Sequence, residues 1–550
     1  MKKRGFVSIQ LVFLLLVAAS TGLWANGNKE KDMDDGQVNL TYLAVEAVFI
    51  EDYATNDFTM FMQDKTGVHI DWETIPEQAL EEKLNLVLAS GDYPDVFFGL
   101  GLNDDKLSLY GGGEGLLMPL NEYVHGGSMP YLNEVLDQVP GSRGAITSPD
   151  GNIYGLPSFN ICYHCINSQK TWVYQPWLDA LGLDMPQTTA EFKAMLMAFR
   201  DGDPNGNGEK DEIPYAGAIK GWHNTAEMFL LNSFVYTDID SRIDIAADRY
   251  IGFYLDDGMV QSVVDTPEYR DALRYLNDLY EEGLIFPGSF TQDSPQLVQL
   301  VEGSDLPTVG VTTGGWGGMF SNFGGDRYRN YRAIPPLEGP DGVRNTPTFL
   351  AEPSPGHFVI ASTCPHPDAA IEWADFLYSV EGTMRSRNGL ENVGWRWAED
   401  GEMGIDGQPA IWTQLRPWND KDPQNECYME NGPVALTSAV RLGQSTDNSV
   451  DLYGQEGLEL MLYQATRDLY RPYADDSKAL PRLKYLTDEI SEYSTMRVEY
   501  AKFVKQSLVQ FIVGDLDVES DWDSYVSNLR RLGHSDLMAL TQTAYDRQFK

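Results

Sequence analysis

The chain has 550 residues, 42% of them hydrophobic, and sets 40 Lys and Arg against 82 Asp and Glu for a formal charge of −42. That length exceeds a single core, so two or three domains or two large lobes are expected, and the apolar share argues against disorder. The acidic field repels nucleic-acid phosphates and anionic headgroups, which excludes nucleic acid as a partner.

The first residues carry a three-part pattern. Lys2, Lys3 and Arg4 give a basic start, residues 6–19 are mostly apolar, and Ala25 precedes a polar Asn-Gly-Asn-Lys-Glu run. This is the layout of a secretory signal peptide, with cleavage expected after Ala25. The apolar run is about 14 residues, short of the roughly 20 that span a bilayer. A lipid anchor needs a cysteine at the cleavage point, and the first cysteine is Cys162. The expectation is a freely diffusing extracytoplasmic protein, periplasmic or secreted.

Residues 26–37 read as a polar tether. Residues 38–48 alternate as a strand, 58–65 are helix-like up to Gly67, and 68–72 alternate as a second strand. Residues 77–89 place Leu80, Leu84, Val87 and Leu88 at helical spacing, and 95–98 begin a short buried strand. This order predicts an α/β lobe with a largely parallel sheet. Asp92 and Asp95 flank the turn before the third strand, where a capping or turn role is expected. Helical periodicity returns at 189–200, 267–282 and 367–380, and dominates from about 458 to 549. Trp373 shares its helical spacing with Ala370, Phe376 and Leu377 and reads as core. No linker separates these stretches, which suggests lobes that exchange segments.

Four cysteines occur: Cys162, Cys165, Cys364 and Cys427. Cys162-Tyr-His-Cys165 fits a redox pair, half of a zinc site or a local disulfide, and its spacing does not choose among them.

Residues 201–214, Asp-Gly-Asp-Pro-Asn-Gly-Asn-Gly-Glu-Lys-Asp-Glu-Ile-Pro, form the most informative local segment. Oxygen-bearing side chains recur at Asp203, Asn205, Asn207, Asp211 and Glu212, and Gly206 and Gly208 supply left-handed turns. Ca²⁺ takes six to eight oxygens at about 2.3–2.6 Å, which such a loop can provide with a carbonyl from Glu209. Two frames fit, a twelve-residue one from Asp201 and a ten-residue one from Asp203, both ending at Glu212. No nucleophile or base lies beside them, so a bound ion is expected to be structural.

Several segments, in order, resemble the extracellular solute-binding proteins of carbohydrate ABC transporters, in the calcium-loop subgroup that includes the alginate-binding proteins. They are residues 82–98 (EKLNLVLASGDYPDVFF), 150–157 (DGNIYGLP), 177–214, 266–285 (TPEYRDALRYLNDLYEEGLI), 310–316 (GVTTGGW), 357–379 and 389–395 (GLENVGW). The resemblance implies an α/β, two-lobed Venus-flytrap fold, each lobe a sheet flanked by helices, closing over a sugar. It implies lobe 1 from residues 26–157 and 353–440, and lobe 2 from 158–352 and 441–550. It also implies the ten-residue frame, with Asp203, Asn205, Asn207, Glu209, Asp211 and Glu212 around calcium. The implied partners are a carbohydrate, most readily an oligosaccharide, and the membrane permease subunits of the importer, with the chain itself a monomer. The absent lipid-anchor cysteine departs from many relatives.

Aromatic faces stack on sugar rings, and polar side chains bond the hydroxyls. Trp316, inside Gly-Gly-Trp-Gly-Gly, is the leading stacking candidate, because flanking glycines let a ligand approach and the family has a cleft Trp after a similar strand. Trp395, Trp222, His223 and Tyr154 are further candidates. Two other classes compete with a binding protein. A secreted glycoside hydrolase needs two carboxylates about 5–9.5 Å apart across a cleft. A calcium-dependent adhesin or scaffold would keep the loop and lack a closing cleft.

Overall fold

The computed structural model describes residues 38–237, 251–416, 422–447 and 449–550. The expected leader and its cleavage site lie outside the described residues. Two sheets organise the chain. The first has six strands, in spatial order Ala435–Leu436, Leu156–Asn160, Ser354–Ile360, Val96–Phe98, Val38–Glu46 and Val68–Pro76. Only Ser354–Ile360 runs against the others. The second has four strands, in order Tyr331–Ile334, Thr171–Tyr174, Val309–Thr313 and Ile213–Ala216. There Thr171–Tyr174 runs against the other three.

The parallel pairing expected near the amino terminus is present, with Val38 opposite Val68 and Glu46 opposite Pro76. Asp95 fixes the third strand beside it by accepting hydrogen bonds from the backbone N–H of Thr41 at 2.8 Å and its hydroxyl at 3.0 Å. This is the turn role expected for Asp95. Asp92 stays exposed, and its N–H donates to Ser90 Oγ.

Each sheet has its own core. Tyr42, Phe98, Leu156, Phe358 and Trp373 are buried in the first, so Trp373 is core as its spacing predicted. Trp172, Trp177, Phe199, Tyr215 and Leu276 are buried in the second. The carboxyl-terminal helices Thr487–Val513, Trp522–Arg531 and His534–Phe549 add Tyr500, Phe511, Tyr525 and Ala544 to that second core.

Two helical stretches differ from the periodicity. Residues 367–380 divide into Pro367–Leu377 and Val380–Asn388, because the Ser379 hydroxyl accepts from Gly382 N–H and starts a new helix. A Cβ at Gly382 would lie 2.0 Å from the carbonyl oxygen of Phe376, so glycine is required there. The carboxyl-terminal stretch is interrupted between Tyr473 and Thr487, a segment holding Pro481, whose ring cannot continue a helix.

The chain passes between the sheets three times. It leaves the first at Asn160 and enters the second at Thr171, leaves the second at Ile334 and re-enters the first at Ser354, then leaves at Leu436 for the helix Leu458–Ala465. Thr171 and Ser354 begin the two strands that run against their sheets. The first two passages therefore connect the edges at which the remaining strands have their carboxyl ends, the third leaves the first sheet from that same edge, and this connectivity turns the two edges toward each other.

Candidate functional site

Ligands of α/β sheets bind at the carboxyl ends of strands. On the second sheet two loops occupy that edge, residues 217–225 after Ile213–Ala216 and residues 314–323 after Val309–Thr313. They carry Trp222 and Trp316, both half-buried. The loops are closed onto one another. Gly315 N–H donates to the Trp222 carbonyl at 2.9 Å, and Asn224 Nδ2 donates to the Thr313 carbonyl at 2.7 Å. The Trp222 indole lies over Gly315, where a Cβ would come within 2.2 Å of the ring. The Trp316 indole lies equally close over Gly318 and meets the Phe323 ring edge-on at 5.1 Å. Gly315 and Gly318 thus seat indole rings of the protein itself, while Gly317 lies against the Tyr328 ring.

Three other sequence candidates have different roles. His223 is buried, with Nε2 2.7 Å from Ser168 Oγ and Nδ1 3.0 Å from Gln169 Oε1. It ties the 217–225 loop to the first passage and presents no face to a ligand. Tyr154 precedes Leu156–Asn160, at the opposite edge of the first sheet from the passages. Its buried ring covers Gly111, and its hydroxyl donates to Asp150 Oδ2 at 2.7 Å. Trp395 is fully buried in a small separate core with Trp412, and its Nε1–H donates to the Gly389 carbonyl at 3.1 Å. Neither Tyr154 nor Trp395 has a free face in this conformation. Trp397, which the sequence reading passed over, is 42% exposed on the same strand.

The facing edge of the first sheet holds a depression of 410 Å³ at the carboxyl ends of Val38–Glu46 and Val68–Pro76. Tyr53 and Trp72 form its floor, stacked with ring centroids 4.8 Å apart. Glu46, Glu51, Asp52 and Glu77 rim it. No sequence signal marked this wall, because its residues come from two loops with ordinary turn composition.

The passages are joined by a polar network that runs from exposed to buried groups. Arg387 Nε donates to Glu430 at 2.6 Å, Asn160 Nδ2 donates to Glu430 at 2.8 Å, and Arg441 bonds Asn160 Oδ1. His164 Nδ1 lies 3.6 Å from Glu459 Oε2. Lys170 Nζ donates to the carbonyls of Asn167 at 2.6 Å and His164 at 3.1 Å. Burial pushes the Lys170 ammonium down to about 7 and His164 down to about 4. Cys162 and Cys165 form a disulfide in this first passage, with Cα atoms 5.2 Å apart, while Cys364 and Cys427 are free and buried. Of the readings open for the C-x-x-C, the structure takes the local disulfide.

The 203–212 loop follows the helix Thr189–Gly202, which starts with a reciprocal cap between Thr188 and Glu191. Asp203 ends it in the left-handed region at φ 48°, and its carboxylate accepts from Asn207 N–H at 3.1 Å and Gly208 N–H at 3.0 Å. The amides of Asn205 and Asn207 both turn their Nδ2 onto Asp211. Glu212 Oε1 is buried without a partner, and burial, with Asp211 and Asp203 adding to it, raises the Glu212 carboxyl above its usual range. Asp201 stays outside this convergence, its carboxylate held by the Arg200 guanidinium at 2.9–3.0 Å.

Comparison with known proteins matches residues 39–384 to the bacterial extracellular solute-binding proteins. The chain belongs to that family. It is similar to the fructooligosaccharide ABC transporter substrate-binding protein FusA of Streptococcus pneumoniae, 27% identical over 500 residues that cover 88% of this chain and 86% of FusA. It is also similar to the polygalacturonan/rhamnogalacturonan-binding protein YtcQ of Bacillus subtilis, 22% identical over 515 residues covering 88% of this chain and 93% of YtcQ. Among solved structures, FusA in complex with kestose superposes with a TM-score of 0.70 at 23% identity, covering 92% of this chain and 99% of that one. An HMO-binding, ABC-transporter-associated solute-binding protein from Bifidobacterium longum infantis gives 0.75 at 22% identity, covering 94% and 100%. These likenesses fix the two-lobed fold. Among the described residues no helix is long and apolar enough to cross a membrane.

Burial holds both His164 and His357 at about 4. The unfolded chain binds their protons near pH 6.5, before the folded one does, so stability is complete above that value and falls as pH drops from 6.5 toward 4. Chemical denaturation across this range should show a flatter profile for the double variant His164→Asn/His357→Asn, and an equally steep one would contradict the burial of neutral imidazoles.

Proposed function

We propose that this chain is an exported receptor of an ABC importer that captures a carbohydrate, most readily an oligosaccharide, between its two lobes and delivers it to membrane permease subunits. The observation that carries this reading is the facing of the two carboxyl edges, joined by three passages, with two half-buried indoles on one edge and an aromatic-floored depression on the other. A ligand touching both edges favours the closed arrangement by its contacts with the second lobe, which is how closure follows from binding. The relatives' names, fructooligosaccharide- and polygalacturonan-binding, support a carbohydrate as that ligand. The passages are bonded to each other, as where Asn167 Nδ2 donates to the Pro347 carbonyl, which suits a hinge. On the cores they enter, segments 38–161 and 353–440 are assigned to the first lobe and 162–352 and 441–550 to the second, because Phe159 and Ile161 pack in the first core, past the boundary expected at 157. The receptor works as a monomer, does not bind nucleic acid, and binds without catalysis. The basic and apolar start of the sequence supports export by a cleaved leader, to a periplasm or the cell exterior.

Trp316 and Trp222 are the side chains proposed to stack on the sugar from the second lobe. Trp316→Ala and Trp222→Ala should each weaken oligosaccharide binding at least about tenfold in titration calorimetry, about 1.4 kcal/mol, with little change in Tm. Binding unchanged in both would remove the indoles from the site. Time-dependent release of reducing ends from bound oligosaccharide would replace the receptor reading with that of a hydrolase.

The 203–212 loop is proposed to hold calcium through Asp203, Asn205, Asn207, Asp211 and Glu212, with the Glu209 carbonyl. The partnerless Glu212 oxygen supports the fit. So do the amide nitrogens turned onto Asp211, since they stand in for positive charge among converging carboxylates. The Asp201–Arg200 pair favours the ten-residue frame. Calcium there would offset most of the charge of the three carboxylates and fix the end of the Thr189–Gly202 helix. An ion bound only to the folded state at about 100 times its Kd adds about 2.7 kcal/mol of stability. Excess chelator should therefore lower Tm by several degrees in the native chain and not in Glu212→Gln. No chelator effect on the native chain would remove the ion.

A further inference from the structure

The two walls of the cleft differ in chemistry. The loops of the second lobe at residues 217–225 and 314–323 contain Lys220, the buried His223 and no acidic residue. The first-lobe wall is the opposite. The loops at 47–56, 77–79 and 99–103 contain no Lys, Arg or His, and the depression on that wall is rimmed by Glu46, Glu51, Asp52 and Glu77. All four acids are exposed. None has a basic partner among the ion pairs of the described residues.

The depression is also held in shape from beneath. The Tyr53 hydroxyl donates to the Val45 carbonyl at 3.2 Å and accepts from Asn431 Nδ2, and Trp72 packs edge-on against Phe98 at 5.3 Å. Asp52 is fixed locally: its carboxylate accepts from Ala54 N–H at 3.0 Å and from the Thr55 hydroxyl at 2.9 Å. The neighbouring strand end, at Val96–Phe98, is covered by the Asn431 side chain, which lies over Gly99, and by Gly432, whose backbone lies against Gly99 and the Phe98 ring. The Tyr53–Trp72 depression is the part of this edge left open.

Resting on the receptor reading above, we infer that this depression is the first-lobe subsite, that it takes uncharged glycosyl units, and that its acidic rim makes the receptor reject uronate sugars. Carboxylates accept hydrogen bonds from ring hydroxyls, and charge-assisted bonds of this kind are about twice as strong as neutral ones. The apolar ring edges of the floor meet the C–H face of a sugar. A ligand carboxylate would stand among four like charges with no Lys, Arg or His among the described residues that line the depression, and closing the cleft removes the water that screens them. The same rim admits an uncharged ring and an amino sugar. Discrimination by built-in repulsion of this type sets specificity without any contact tailored to one sugar.

The test is a calorimetric titration of the full chain with kestose and nystose on one side and tri- and tetragalacturonate on the other, at low and at high salt. The neutral sugars should bind with an affinity that salt leaves nearly unchanged. The uronates should bind at least tenfold more weakly, and the gap should narrow at high salt. Glu51→Gln/Asp52→Asn should weaken the neutral sugars severalfold and improve the uronates, with Tm unchanged as a check on folding. Uronates binding as tightly as the neutral sugars would overturn the inference while leaving a carbohydrate receptor in place. A variant with both affinities unchanged would place the subsite elsewhere and overturn it as well. If kestose, nystose and both galacturonates all fail to bind, the receptor reading fails for these sugars, and this inference with it.

Discussion

The backbone passes between the two sheets three times, and every passage leaves or arrives at a carboxyl edge. That constraint sets the rest. It turns the two edges toward each other, so the loops that follow the strands meet across one cleft. It also makes the passages the covalent links between lobes, and the first is tied to the second where Asn167 Nδ2 donates to the Pro347 carbonyl at 3.1 Å. His164, Lys170 and the Cys162–Cys165 disulfide lie on the first passage, and Glu459 begins the helix after the third. Buried charges of this kind contribute little net stability unless each is paired, but they define one geometry for the region they occupy. A hinge that bends about a fixed set of contacts is the expected result.

The cleft walls are built by close packing rather than by open space. Gly315 and Gly318 bring backbone against the Trp222 and Trp316 indoles, which orients both rings before any ligand arrives. Rings already held in place lose less freedom on binding than mobile ones. His223 adds to this by fastening the 217–225 loop to Ser168 and Gln169 of the first passage, so the position of that wall and the state of the hinge are physically linked.

Much of the first lobe was legible in the sequence, because alternation and helical spacing are local. The strands at 38–46 and 68–76 and the helix between them follow directly from where apolar residues fall. Trp373 was readable as core, and Asp95 as a turn residue, for the same reason. The site was less legible. Trp222 and Trp316 carried a signal, an aromatic among glycines, yet that signal did not say which ring the glycines receive. Trp395 and Tyr154 carried the same local signal and are buried, because a hairpin and a distant edge of the sheet enclose them. His223 looked like a ligand-binding group and is buried against Ser168 and Gln169. The Tyr53–Trp72 wall could not be read at all, since it exists only when the ends of two parallel strands, about thirty residues apart in sequence, are set side by side. The break at Ser379 is a further case: one hydroxyl capping Gly382 outweighs a continuous helical period.

The central claim is that a sugar held between the two carboxyl edges draws the lobes together. Small-angle X-ray scattering of the full mature chain, with and without a saturating oligosaccharide identified by titration, measures this directly. The account predicts a smaller radius of gyration on saturation, and the Trp316→Ala/Trp222→Ala double variant should not contract at the same sugar concentration. An unchanged radius of gyration at full occupancy would contradict it.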